Sequence, residues 1–141
     1  MDPYTFQIVL LIILIILSGF FSASETALMA LSRIRVRHMV DEEVKGAKLL
    51  EKLLEDPNKL LGGILIGNNI VNIGASSLAS TLAFRIFGDG GVALATGVMT
   101  ILVLIFGEIT PKSLAKQNAE KVSLAVAPII NIVVTVFKPL V

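Results

Sequence analysis

The chain has 141 residues, 55% of them hydrophobic and only 16% charged, with a formal net charge of +1 and no cysteine. That balance places a single domain in a bilayer rather than in water. The missing cysteines exclude disulfides, thiolate metal sites and cysteine nucleophiles, and basic residues without an aromatic-rich basic patch argue against nucleic acid.

The first apolar run starts at Ile8 and stays uncharged until Glu25, enough for one span of about 20 residues. Met1 to Gln7 carries Asp2 and no Lys or Arg, and the run exceeds a signal peptide's apolar core, so it is expected to be retained. From Ser32 to Lys59 the composition turns to mixed charge. Asp41, Glu42 and Glu43 are expected to form an acidic first helical turn, followed by an apolar face of Val44, Ala47, Leu50, Leu53 and Leu54. Two short helices on the cytoplasmic face are the reading here.

Asp56-Pro57 has the form of an N-cap followed by proline at the first helical position. Leu60 to Phe84 is uncharged and supplies a second span rich in small residues, among them Gly63, Gly67, Gly74, Ser76 and Ser80. Gly63 and Gly67 make a small-xxx-small pair, and together with the run from Gly74 to Ser80 they predict a homodimer through the small-residue faces of the spans. Gly88 to Gly91 reads as a tight turn, and Val92 to Phe106 is a third run ending at Gly107, Glu108, Ile109, Thr110 and Pro111. Proline there is expected to break or kink the helix beside a carboxylate.

The last run, Val122 to Phe137, contains Pro128 and Asn131 between Lys121 and Lys138 and is short for a span. Lys and Arg concentrate between the first two spans, so the N-terminus is expected outside and the C-terminus in the cytoplasm. The resulting fold class is an all-α membrane protein with three transmembrane helices, cytoplasmic surface helices and a C-terminal juxtamembrane or re-entrant helix. A fourth span is the alternative.

Polar residues interrupt these runs. Ser18, Ser22 and Glu25 share one helix face, Asn69 and Asn72 share another with Asn68 beside them, and Glu108 ends the third run. In hydrocarbon each costs free energy unless partnered, which makes the set a candidate functional site. The proline-broken backbone adds carbonyls that can point inward. Hydroxyl, amide, carboxylate and carbonyl oxygens, without sulfur or imidazole, suit a hard cation such as Mg²⁺ or Ca²⁺. Single serines also bond to their own helix and single asparagines join helices, so each taken alone reads first as structure. The carboxylates could also reach the headgroups, yet an acid beside a proline break and a polar cluster reads first as functional. His38, among Arg35, Arg37 and Asp41, is read as solvated. An intramembrane hydrolase using Ser22 or Ser24 lacks a histidine in the spans and a plausible Ser-Lys pair, so no enzyme is expected.

Three segments carry a resemblance: Ser18-Gly19-Phe20-Phe21-Ser22-Ala23-Ser24-Glu25-Thr26-Ala27, Gly67-Asn68-Asn69-Ile70-Val71-Asn72 and Gly107-Glu108-Ile109-Thr110-Pro111-Lys112. In this order they resemble the CorC/cyclin M (CNNM) magnesium transporter family's membrane domain over nearly the whole chain. The resemblance implies a dimeric transporter exporting Mg²⁺ with Na⁺ as counter-ion, and three spans with a final juxtamembrane helix per subunit. It implies ion-binding positions at Ser18, Ser22, Asn68, Asn69 and Glu108. Residues 1–141 would form the transmembrane ion-transport domain, with ATP-binding cystathionine-β-synthase-type modules expected in the full-length protein only. A non-transporting membrane anchor or divalent-ion sensor for a cytoplasmic partner is the alternative function.

Overall fold

The computed structural model describes residues 3–140, with all side chains but those of 89 and 95, and every regular element among them is helical. Without water to bond to, apolar runs must satisfy their backbone internally, and helices do so within each segment. Helix α1, Pro3–Ala30, turns Phe6, Ile12 and Ile16 outward and buries Ser18, Gly19, Phe21 and Ser22. Met1, whose external position the charge rule predicts, lies outside the described residues.

Ser32 Oγ then accepts from the Arg35 N–H at 3.1 Å and starts α2, Arg33–Asp41. The acidic triplet is not a first turn, which corrects the sequence reading. Asp41 ends α2 and Glu43 adopts a left-handed φ of 57° in the connecting turn. The next helix, α3, starts only after Gly46, spans Ala47–Leu54 and buries Ala47, Leu50, Leu53 and Leu54. Arg33 donates to the Leu54 carbonyl at 3.2 Å, closing the hairpin of α2 and α3.

Asp56 Oδ1 accepts from the Lys59 N–H at 3.2 Å and caps α4, Pro57–Phe87, as its Asp-Pro signal predicts. Gly88, at φ 76°, makes the turn into α5, Asp89–Leu102. The expected break near Pro111 takes a gentler form. The helix widens to π geometry over Val103–Ile109 and re-enters α geometry as α6, Thr110–Gln117, with Pro111 in its first turn. There the missing N–H matters least. Helix α7, Ala119–Phe137, runs through Pro128 and ends in a 3₁₀ turn at Lys138–Leu140.

Among the described residues four helices are long and apolar enough to cross a membrane: Pro3–Ala30, Pro57–Phe87, Gly90–Gln117 and Ala119–Leu140. The last, at 22 residues, is the shortest of the four but long enough for a crossing, so length does not exclude a fourth span. Its two ends nevertheless meet the same charged segment. Glu120 pairs with Arg35 near the start of α2, through contacts that include Arg35 Nη2 to Glu120 Oε2 at 3.2 Å. Lys138 lines one cleft with Asp56 and Lys59 at the start of α4.

Gly63 and Gly67 are used inside the protomer, which corrects the expectation that they form a dimer face, while Ser76, Ser77 and Ser80 of the same helix stay exposed. A methyl group on Gly63 would stand 3.0 Å from Val134 Cγ2 and 3.1 Å from its Cα in α7. On Gly67 it would stand 2.8 Å from the Phe21 ring of α1. Both glycines are buried contacts between helices of one chain.

Two outcomes follow. Gly67→Ala is expected to destabilise the fold by about 1–3 kcal/mol through overpacking, and Phe21→Leu in the same chain should recover part of the loss in a detergent thermal melt; no loss, or no recovery, contradicts this packing. The hydrogen bond from Arg35 holds the exposed Glu120 carboxyl below its usual range. A depressed carboxylate pKa means that the pair's contribution is full above the ordinary Glu range and is lost as pH falls through the lowered value. Melts of Glu120→Gln should therefore lose part of the acid-side dependence seen in the unsubstituted chain.

Candidate functional site

Three glycines set how closely the helices around Ser18 approach. Gly67 admits the Phe21 ring between α1 and α4. A methyl group on Gly107, in the π-helical segment, would lie 3.1 Å from Ser18 Oγ. One on Gly19 would lie 3.0 Å from the Phe106 carbonyl oxygen and 3.1 Å from Pro111 Cγ. Helix α1 is thus in near-backbone contact with α4 on one side and with the widened segment on the other.

Ser18 and Ser22 are buried on α1, and Ser18 Oγ donates to Asn72 Oδ1 of α4 at 2.8 Å. The two helices are antiparallel, so one turn toward the charged segment takes Ser18 to Ser22 and Asn72 to Asn68, a rise of about 6 Å on each. Asn68 Oδ1 is buried with no hydrogen-bond partner. A buried acceptor without a donor is a costly arrangement that calls for an explanation. The other two such atoms among the described residues, Gln7 Oε1 and Ser123 Oγ, belong to the first turns of α1 and to α7.

The third wall is the π-helical segment. The Thr110 N–H donates to the Ile105 carbonyl, and the next bond in that register would join residue 111 to the Phe106 carbonyl. Pro111 has no N–H to give. The Phe106 oxygen, which faces Gly19, therefore receives no bond from residue 110 or 111. Single π turns inside α-helices recur at functional sites because they free and redirect such groups. Glu108 follows directly after Gly107 and is half-buried, as is Glu25, one turn below Ser22.

The structure joins Ser18 to Asn72, sets buried Ser22 and Asn68 Oδ1 one turn further along the same two helices, and places Glu108 on the segment that touches Ser18. It places Asn69 on the exposed side of α4 with Leu65, Ile70 and Ile73. Asn72, a member of the polar set read from the sequence, is the asparagine bonded to α1; its partner one turn away on the inward side is Asn68, not the Asn69 with which the sequence reading grouped it. Ser24 bonds back to the Phe20 carbonyl at 2.7 Å and takes no part. Among the described residues no cluster of three or more His, Cys, Asp or Glu forms, so any cation here would rest mainly on neutral oxygens.

The model of a family described as the cyclin M transmembrane N-terminal domain matches residues 9–141. The chain is 47% identical over 139 residues to a UPF0053 protein of Haemophilus influenzae, covering 99% of this chain and 33% of that protein. It is 50% identical over 107 residues to the UPF0053 inner membrane protein YfjD of Escherichia coli, covering 76% of this chain and 25% of that one. A DUF21 domain-containing chloroplast protein of Arabidopsis thaliana is 41% identical over 124 residues, 87% of this chain and 19% of its own length. The chain spans a third or less of each of these relatives.

Asn68 and Asn72 should respond differently to removal. Asn72→Leu breaks an interhelical bond and is expected to cost about 0.6–1.7 kcal/mol, whereas Asn68→Leu removes an unpartnered acceptor and should leave the melting temperature without divalent ions unchanged or raised. Equal destabilisation by both would show that Asn68 is structural.

Proposed function

Because the chain belongs to the cyclin M transmembrane-domain family, we propose that this multi-pass membrane domain carries Mg²⁺ through a dehydrated oxygen site between α1, α4 and the π-helical segment. The observation that carries the reading is the unpartnered Asn68 Oδ1, one turn from the Ser18–Asn72 bond. The Ser18–Asn72 bond alone is ordinary interhelical glue; a buried acceptor with nothing to accept is not. Mg²⁺ takes about six oxygens at roughly 2 Å. The hydroxyls of Ser18 and Ser22, the amide oxygens of Asn68 and Asn72, the Phe106 carbonyl and the Glu108 carboxylate are of the right chemical type. Only Glu108 would supply charge, so the ion is held without being trapped.

Net export with Na⁺ as the counter-ion belongs to the same proposal. Na⁺ needs fewer and weaker oxygen contacts, and its arrival at the carboxylate would favour release of an ion that gives up water reluctantly. The arrangement of α7 supports three crossings: Glu120 sits by Arg35 and Lys138 by Asp56 and Lys59, so both ends of the helix lie at the charged segment. With lysines and arginines concentrated there, that segment is cytoplasmic and the N-terminus external. A homodimer is proposed through the exposed side of α4, where Asn69 would face hydrocarbon in a monomer. Nucleotide-binding modules would lie in the full-length protein only.

Reconstituted in liposomes, the chain should pass Mg²⁺, and Glu108→Gln should lower both flux and calorimetric Mg²⁺ affinity by roughly tenfold or more. Asn68→Ala should lower affinity less, with the fold intact. Undiminished binding in both variants would remove the site; no flux in the unsubstituted chain would remove the transport reading. A cysteine at position 138 should react with an impermeant reagent only from the cytoplasmic side, and external reaction would favour four crossings.

A further inference from the structure

Beyond the oxygen site, between α4 and α5, lies a separate cleft of about 250 Å³. Ser76 and Ser80 line it from α4 and Thr96 and Thr100 from α5, with the apolar Ala79 and Met99 between them. No ionisable side chain lines it. Ser76 and Ser80 stand one and two turns beyond Asn72 in the direction of the Gly88 turn, about 6 and 12 Å along the helix. Val103 and Leu104, the first residues of the π-helical segment on this wall, separate the cleft from Gly107.

The hydroxyls of the two threonines are oriented by their own helix. Thr96 Oγ donates to the Val92 carbonyl at 2.8 Å, and Thr100 Oγ donates to the Thr96 carbonyl at 2.7 Å. Each hydroxyl proton is therefore engaged, and what remains to face the cleft is lone pairs. The α5 wall of the cleft therefore accepts hydrogen bonds and offers none, while Ser76 and Ser80 opposite can do either. Water bound to a divalent cation is the complementary partner, since its oxygen is on the metal and both protons point outward. Six waters at about 30 Å³ each fill roughly 180 Å³, which the cleft can hold.

We propose that this cleft is the outer half of the ion's path, a hydroxyl-lined passage that takes the cation in hydrated form between the oxygen site and the Gly88 end of the domain. The proposal rests on the transport reading above. Acceptors without charge let the ion pass rather than stay, because conduction needs binding strong enough to enter and weak enough to leave. Val103 and Leu104 form the apolar barrier between the dehydrated site and the hydrated passage. Their place at the start of the widened turn means that a shift of its hydrogen-bond register would rotate them.

The chain has no cysteine, so single-cysteine labelling reads the passage directly. In cells expressing the chain, Ser80→Cys and Thr100→Cys should react with an impermeant cationic methanethiosulfonate applied outside, and Mg²⁺ should slow the reaction. Ile101→Cys, exposed on α5 at the depth of Thr100 but outside the cleft, should not react. No reaction at 80 and 100, or equal reaction at 101, overturns the proposal. In liposomes, Thr96→Val with Thr100→Val keeps shape and removes both acceptors; Mg²⁺ flux should fall roughly tenfold while calorimetric Mg²⁺ affinity stays unchanged. Unchanged flux overturns the passage, and so does a parallel loss of affinity, which would mean that the threonines act through the oxygen site. Absence of flux in the unsubstituted chain overturns the transport reading and the passage together.

Discussion

Close approach of helices that have no side chain to keep them apart is the condition on which the rest of this protein depends. In hydrocarbon there is no hydrophobic force between helices, so contact comes from packing and from polar groups that meet. Gly67 gives up its side chain to the Phe21 ring, Gly107 to Ser18, and Gly19 to the Phe106 carbonyl and Pro111. With these contacts in place Ser18 reaches Asn72 across the helix boundary. A bulkier residue at any of them would push apart the walls of the polar cluster before it touched any of its oxygens.

The second element is a backbone one. A proline inside a helix removes a donor, and the chain accommodates Pro111 by widening the preceding turn rather than by stopping. A π turn displaces carbonyls from the helix ladder, and next to a glycine-lined groove one of them, on Phe106, faces α1. Such irregular backbone is tolerated at membrane depth where it is buried in protein or lines a cavity. The same segment carries Glu108 on one side and Val103 and Leu104 on the other, so the oxygen site and the hydroxyl-lined cleft share a single deformable wall. Under the proposed transport reading, two arrangements of that wall would expose an ion to alternate sides.

The charged segment organises the opposite end. Arg33 holds the end of α3, Arg35 holds the start of α7, and Asp56 caps α4, so α4, α7 and the surface hairpin are tied at one level. The buried residues Val36, Met39, Ala47 and Leu50 join the same core cluster as Leu28, Leu60 and Ile130. This belt is continuous with the membrane part through its apolar face, not merely attached to it by ion pairs, which are exposed and individually weak.

The residues by themselves determined that the protein is helical and membrane-embedded, where three of its long helices run, and which side chains are out of place in hydrocarbon, because those conclusions rest on run length, spacing and composition. The N-cap at Asp56 and the paired short helices were legible for the same local reason. The start of α3 was not: an acidic triplet suits a helix start by charge, yet Glu43 took a left-handed turn and Gly46 set the boundary. Only the tertiary structure decided which faces of α4 meet which partner. It turned Gly63 and Gly67 inward, joined Asn72 rather than Asn69 to Ser18, and left Asn68 Oδ1 without a donor. Helical spacing says which residues share a face but not what that face will touch, and burial, bonding and the unmet acceptor are properties of the contact.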